Sequence, residues 1–547
     1  MSKTVQKVGS TQRHKEGSFR YAEKRRTGTC RFADRVASTA LEEYRRVVPQ
    51  CHRDKQKHEC VAAILAHFPS SAKDDGEAGA SQNSDGILQV IGLGVGTKFL
   101  PESILRKEIE ESEQEGASIA TRYGERVRDC HAEVLARRAF RWQIAKEIRD
   151  DLMQRNQSSE NKSEKQQPGS HCIPVLQRLS DESDGSTPNC SYGLKPGVTL
   201  HFYSSSAPCG NATMKKFAKM QKEKFDASLG PDEWPRNKTH EMINGHAIRE
   251  GQFSLLLKKD NSASVCEVIP IDDGPTKPKG KRWPANESDD WCPPGCTISE
   301  SKRGSIHTCS DKLARWNCLG LQGSLLSSMV DSPLHMSTLT VGRKMTNVIC
   351  RRAVCCRAWG YGDAAEPKAK EKKRAKIEDD SIEENSFTQS FPTEKSKYKL
   401  NHPVIMGTSV YIDEDGVLDM SGERTIGQDF RFESNLCWAM AGSWDAAECI
   451  DGMTGYTCAF DPACEDPAGD SSNRVISQIS TVALADQFAA VTILSGHEVG
   501  LDVPNLTLAS LHRLKLTVSP EHETAKENLI SKHRVFRQWV RRMSTNK

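Results

Sequence analysis

Two apolar runs and the helix-like stretch between them set narrow limits on the fold. Residues 87–97, ILQVIGLGVGT, are an almost unbroken apolar run of strand length, the pattern of a strand buried on both faces. Residues 197–204, GVTLHFYS, repeat the pattern. Between them, HAEVLARRAFRWQIAKEI (131–148) sets Val134, Leu135, Ala139, Trp142 and Ile144 at helical spacing. Strands alternating with helices predict an α/β core.

Around that core the chain is polar. The stretches 69–86, 154–195, 259–304 and 363–390 carry too little apolar surface to offset the entropy of ordering, and read as long loop insertions. No internal repeat is present. The length, 547 residues, by itself suggests about three or four domains. The mean hydropathy is −0.61, and no run reaches the roughly 18 apolar residues of a spanning helix, so no membrane partner is expected. The basic start, MSKTVQKVGSTQRHKEGSFR, lacks the apolar stretch of a secretory signal. Nineteen cysteines without such a signal point to a reducing compartment, the cytoplasm or nucleus. The net charge of +3 excludes an argument for nucleic acid from bulk charge.

Three motifs carry chemistry. In SSSAPCGNAT (204–213) a proline precedes Cys209, half of the P-C-x-x-C arrangement of zinc deaminases, but Ala212 stands where the second cysteine belongs. His131-Ala132-Glu133 is an H-x-E at the predicted start of the 131–148 helix. Each alone has an ordinary reading: a packed thiol, a solvated helix end. The third is TCSDKLARWNCLGLQGSLLSS (308–328), where Cys309 precedes a predicted helix capped by Ser310 or Asp311, with Leu313, Trp316 and Leu319 on one face. His131, Cys209 and Cys309 together supply one nitrogen and two sulfurs, the three-ligand set of a catalytic zinc that keeps a position for water. All three are predicted at helix N-termini, where the helix dipole favours thiolates.

HAE, SAPCGNA and CSDKLARWNCLGLQGSLLS together resemble the RNA-editing adenosine deaminases, whose tRNA-type members are included. GVGTKFL (94–100), YKLNHPVIMG (398–407) and NLCWAMAG (435–442) match further blocks in order. The resemblance spans residues 35–545 and replaces the several-domain estimate. It implies a basic tail at 1–34 and one deaminase domain over 35–547. That domain would have a cytidine-deaminase-like core, a central mixed sheet with helices on both faces, enlarged by an α-rich C-terminal part and the insertions.

The resemblance also implies the chemistry. His131, Cys209 and Cys309 would hold one zinc. Glu133 would carry the proton from water to the purine N1 and the leaving amine as adenosine becomes inosine. Thr97 and Lys98 would lie at the target nucleotide. Inositol hexakisphosphate is implied as a buried cofactor, with Arg137, Arg138, Lys312, Arg315 and Ser324 as contacts. Lys532, Trp539 and Arg542 in SKHRVFRQWVRR (531–542) would extend that set. Thr481 stands where the family pattern has lysine, and Arg128 and Asn211 where it has Asn and Asp. The implied substrate is tRNA, adenosine 37 of alanine tRNA, because only about 35 residues precede the matching region, too few for a double-stranded-RNA module. KPKGKRWP (277–284), with Lys277, Lys279, Lys281 and Arg282 beside Trp283, suits phosphate contact with base stacking. No obligate protein partner is expected. The alternatives are an editor of another structured RNA, a free-nucleoside or cytidine deaminase, and an inactive RNA-binding homologue.

Overall fold

The computed structural model describes residues 31–50, 60–70, 86–100, 102–113, 123–158, 172–179, 191–209, 212, 255–260, 263–268, 307–343, 345, 347–355, 396–408, 410, 436–458, 475–496, 500 and 502–532. The insertion at 363–390, the basic stretch 277–284, Asn211, Trp539 and Arg542 lie outside them.

The first helix, α1 (Arg31–Val47), begins upstream of the expected boundary at 34/35. It buries Val36, Ala37, Ala40, Leu41 and Tyr44, an i, i+4 stripe. Strands β1 (Val61–Phe68) and β2 (Ile87–Val95) follow, then short β3 (Thr97–Phe99), α2 (Glu102–Glu113) and short β4 (Asp129–His131). The long helix α3 runs Ala132–Ser158. Next come β5 (Leu176–Leu179), β6 (Ser191–Leu194), β7 (Thr199–Ser206), β8 (Leu255–Asp260) and β9 (Ala263–Val268). The later elements are α4 (Cys309–Leu319), α5 (Gly323–Leu326), β10 (Met336–Arg343), α6 (Asn347–Val354), β11 (Val404–Gly407), β12 (Leu436–Ala441) and β13 (Glu448–Asp451). Three helices close the described chain: α7 (Thr481–Leu494), α8 (Leu508–Val518) and α9 (Pro520–Lys532).

Seven strands form one mixed sheet in the order β11-β10-β7-β1-β2-β12-β13. β7, β10 and β11 are parallel; the remaining pairs are antiparallel. The apolar strand runs thus become interior strands, covered on both faces. One face packs on α1, through Val61, Ala63, Leu65, Leu93 and Tyr203. The other packs on α3, through Ala62, Ile64, Ile91, Leu200 and Phe202 against Ala136, Phe140 and Ile144. Burying each such large side chain contributes about 1.5–3 kcal/mol.

Helix α3 departs from the expected single stripe. Ala136, Phe140, Ile144 and Ile148 enter one cluster, and Leu135, Ala139 and Trp142 enter another with β12 and α7. It is buried nearly all round because the C-terminal helices cover the side that the sheet leaves open. Its seat on β2 is a pair of glycines. A Cβ on Gly92 would stand 2.5 Å from Ala136 O and Phe140 N, and one on Gly94 2.6 Å from Leu135 Cβ and nearer still to Ala132 O. The backbones of strand and helix therefore touch.

Three local expectations change. His131 is the last residue of strand β4, and the helix starts at Ala132. The insertion at 154–195 contains the end of α3 and the β5–β6 hairpin. That hairpin is anchored where Tyr192 Oη donates to Asp151 (2.8 Å) and Glu147 accepts from Val175 N (2.9 Å). The insertion at 259–304 overlaps β8–β9, which pair only with one another.

Candidate metal centre and the cationic cavity behind it

His131 arrives on a two-stranded ribbon. Gly96, at φ 146°, turns the chain from β2 into β3, and its carbonyl accepts the first amide of α3, Ala132 N, at 2.9 Å. A Cβ at Gly96 would meet Cys130 O at 2.6 Å and Cys437 Sγ at 2.7 Å. β3 then pairs antiparallel with β4, setting Thr97 opposite His131 and Phe99 opposite Asp129. The Phe99 ring stacks on the His131 ring, 6.0 Å between centroids and 8° from parallel. Strand alternation puts Lys98 on the other face of the ribbon, near Cys437 and Asp451, and burial lowers its pKa. Thr97 is thus brought beside the imidazole, whereas Lys98 points away from it.

Cys209 lies just past the end of β7, and Cys309 is the first residue of α4. The cap of α4 is Thr308, two residues before the nearer of the expected caps, and its side chain accepts from Asp311 N. The two cysteine segments are stitched together. Cys309 N donates to Cys209 Sγ at 3.2 Å, and Ser310 N to Cys209 O at 3.0 Å. The ligand atoms of His131, Cys209 and Cys309 all lie within 4.8 Å of one another. Two thiols and an imidazole at this separation are the donor set of a catalytic zinc. The hydrogen bond from Cys309 holds the Cys209 thiol below its ordinary range, while burial pushes Cys309 well above its own. One ready thiolate with a second thiol against it suits a divalent soft-to-borderline cation.

Asp129, which the sequence reading did not single out, orients the imidazole. Its Oδ1 receives His131 Nδ1 at 2.7 Å, leaving Nε2 for a metal. Its other oxygen pairs with Lys312, one turn into α4. Burial opposes the charged carboxylate, but Lys312 and His131 outweigh it and hold the pKa well below the usual range. Burial also disfavours a charged His131, yet Asp129 prevails and pushes that pKa up to about 9. Glu133, in the first turn of α3, is buried and accepts from Ser204 Oγ at 3.3 Å. Its charge is felt by both Cys209 and Cys309, so a carboxylate stands beside the donor triad without belonging to it.

Behind Asp129 and Lys312 the chain gathers cations. Arg137, Arg138 and Arg141 of α3 anchor their Nε atoms on Leu321 O (2.8 Å), Ile479 O (2.6 Å) and Gln322 O (3.0 Å). Arg137 also lies over the Trp316 ring, 4.8 Å from its centroid. Arg315 of α4 and Lys515 of α8 join them. Burial lowers the pKa of all five; Arg138, Arg141 and Arg315 add repulsion at Arg137, and Arg141 and Arg128 at Arg138. Lys515 falls to about 7, through burial and then repulsion from Lys526. Guanidinium groups stay charged in proteins, so the downward shifts reflect first the cost of burying them and, at Arg137 and Arg138, their mutual repulsion.

Glu523 is a carboxylate near this cluster, and it is already shared with Lys526 and with His522. The arginines lie deep yet retain accessible surface. A cluster with this excess of positive charge suits a polyanion. Ser324 lies beside it: its Oγ is buried and its carbonyl accepts from Ser519 Oγ at 2.6 Å. Thr481, in the lysine position of the family pattern, accepts from Arg138 Nη2 at 3.2 Å. Arg128 pairs with Glu108 (3.3 Å) and lies over the Tyr123 ring at 3.9 Å. Lys532 closes α9, and its side chain is outside the described part. Asp129, Arg141 and Lys515 were absent from the sequence-derived set.

Comparison with known proteins agrees with this arrangement. The family model for the adenosine-deaminase (editase) domain matches residues 93–543. The double-stranded RNA-specific adenosine deaminase of Mus musculus is 26% identical over 332 residues, 61% of this chain and 20% of that protein. The double-stranded RNA-specific editase Adar of Drosophila melanogaster is 27% identical over 175 residues, 32% of this chain and 20% of that protein. The tRNA-specific adenosine deaminase 1 of Homo sapiens is 23% identical over 373 residues, 57% of this chain and 66% of that protein. The chain thus spans about a fifth of the double-stranded-RNA relatives and just under two thirds of the tRNA-specific one.

Proposed function

The chain belongs to the adenosine-deaminase (editase) family, and from that membership we propose that it hydrolytically deaminates adenosine to inosine in tRNA, at adenosine 37 of alanine tRNA. The observation that carries the reaction is the buried Glu133 beside the His131, Cys209 and Cys309 donor set. A zinc held by those three supplies the acidity that makes water a nucleophile at neutral pH. Glu133 takes one proton from water and passes it to the purine N1, then takes the second from the hydroxyl now on C6 and passes it to the amino group, which leaves as ammonia. Such proton transfer typically contributes ~10²–10⁴-fold. Asp129 fixes the tautomer of His131, and Ser204 Oγ fixes one oxygen of Glu133. Thr97, opposite His131 in the ribbon, would touch the target nucleotide. No helix among the described residues is long and apolar enough to cross a membrane.

Inositol hexakisphosphate is our reading of the polyanion. Arg137, Arg138, Arg141, Arg315 and Lys515 would hold it, and Lys312 would connect it through Asp129 to His131. The core is read as cytidine-deaminase-like, and residues 35–547 as one domain of a cytoplasmic or nuclear enzyme. Support for tRNA over duplex RNA is the larger share of the human tRNA-specific relative that this chain matches. A loop adenosine is also unpaired already, so extruding it costs less than opening a duplex. The second reading, editing of double-stranded RNA, rests on the mouse and fly relatives. Incubation of the full chain with alanine tRNA, its isolated anticodon stem-loop and a long perfect duplex, followed by inosine measurement, separates the two. The tRNA should be edited best; efficient editing of the duplex with none of the tRNA would transfer the assignment to the second reading.

A further inference from the structure

Strand β13 and the segment after it form a tight hairpin on the edge of the large sheet. Asp451 N donates to Tyr456 O (2.9 Å), Gly455 N to Asp451 O (2.7 Å) and Cys458 N to Cys449 O (3.0 Å). Cys449 and Cys458 therefore face each other across the hairpin, their sulfurs 3.3 Å apart. A disulfide needs about 2.05 Å, so closing the pair requires an approach of about 1.3 Å. Cys449 is buried and Cys458 is half-exposed. Among the described cysteines, the others with more than marginal exposure are Cys60 and the metal-site Cys209. The two thiols share this contact with either sulfur able to donate, and it lowers the pKa of Cys458 while Cys449 is held high. One sulfur is thus reachable and nucleophilic, and the second waits behind it.

We infer that Cys449 and Cys458 form a thiol–disulfide exchange site that closes to an intramolecular disulfide on reaction with a small-molecule disulfide. The Cys458 thiolate attacks one sulfur of the reagent, forming a mixed disulfide and expelling one thiolate. The Cys449 thiol then gives its proton to solvent and attacks the Cys458 sulfur, expelling the second thiolate. The chain loses two electrons and two protons, and the reagent leaves as two thiols. The hairpin so fastened is the one that props the ribbon of His131. Gly455 O accepts Val127 N (2.8 Å) and Thr454 O accepts Arg126 Nη1 (2.8 Å), just ahead of β4.

The test uses the full, zinc-loaded chain treated with oxidised glutathione, alkylated, and cleaved before aspartate without reduction. Cleavage before Asp445, Asp451 and Asp461 separates Cys449, Cys458 and Cys464 into different peptides. The 445–450 and 451–460 peptides should be joined, and should separate on reduction, with zinc content unchanged. In Cys449→Ser, glutathione should remain attached to Cys458. Cys458 joined to Cys464, or glutathionylated in the unaltered chain without closing on Cys449, overturns the inference. So does a Cys449→Ser chain that takes up no glutathione at Cys458.

Discussion

Replacing Gly94 with alanine tests whether the seat of α3 on β2 sets the geometry of the reaction. The added Cβ would lie 2.6 Å from Leu135 Cβ and nearer still to Ala132 O and Ala136 N. Ordinary contact begins at 3.4 Å, so strand and helix must part by about 1 Å, and no side-chain rotation relieves two backbone atoms. Overpacking of this kind costs about 1–3 kcal/mol. The segment displaced is the first turn of α3, which carries Glu133. A ~1 Å misplacement of a reacting group can cost ~10²-fold in rate. Gly94→Ala should therefore lower both the denaturation midpoint and inosine formation, with turnover falling about 10²-fold. Gly193→Ala is the control, because the nearest atoms to its Cβ would be those of the Leu179 side chain, the closest at 3.4 Å, ordinary contact. Stability and turnover of Gly94→Ala equal to those of the control would refute the view that the glycine seat positions Glu133.

Other outcomes follow from the same geometry. Asp129→Asn should weaken zinc binding about 10–100-fold in a chelator competition, since the imidazole loses its orienting carboxylate and Lys312 its partner; unchanged affinity would remove Asp129 from the site. Glu133→Gln should keep zinc by elemental analysis and lose ~10²–10⁴-fold in turnover; wild-type deamination would end its assigned role. The cavity should bind inositol hexakisphosphate in a proton-linked way. With Lys515 at about 7 in the anion-free chain and raised by a bound anion, binding takes up a proton above that pH. Affinity is then full below pH 7 and falls, by up to about tenfold per pH unit, as pH rises. Calorimetry across pH 6–9 should show a shallower slope in Lys515→Arg, whose side chain stays charged; identical slopes would exclude Lys515.

The candidate metal donors, which the structure brings within 4.8 Å of one another, were legible in the sequence because metal chemistry restricts residue type so strongly. His131 was expected to open a helix, yet it ends a strand. The run Asp129-Cys130-His131 is too short to show a period, and the helical pattern beginning at Ala132 masked it. The same short strand hid Asp129, although an acid two residues before a strand histidine shares its face. Arg141 carried a readable signal: it follows Arg137 by four residues, and so lies one turn along the same helix face. Lys515 carried none, since nothing in LASLHRLKLTV distinguishes a lysine facing a cavity from one facing water. The β5–β6 hairpin was lost to composition. Its anchors, the short run ending in Val175 and Leu176 and the isolated Tyr192, are small apolar islands within a polar stretch.

The stitch between Cys209 and Cys309 has a consequence for how such a chain can change. A hundred residues separate the two sulfurs along the sequence, yet they leave and re-enter at one point. The segment between them is a loop whose mouth is tied by two backbone amides, Cys309 N to Cys209 Sγ and Ser310 N to Cys209 O. For such a loop the entropy of closure grows only with the logarithm of length, about 0.6 kcal/mol for each doubling. Sequence can therefore be gained or lost there at almost constant stability, and without moving either thiol. Length can thus vary between two metal-site residues while the spacing of their sulfurs stays fixed.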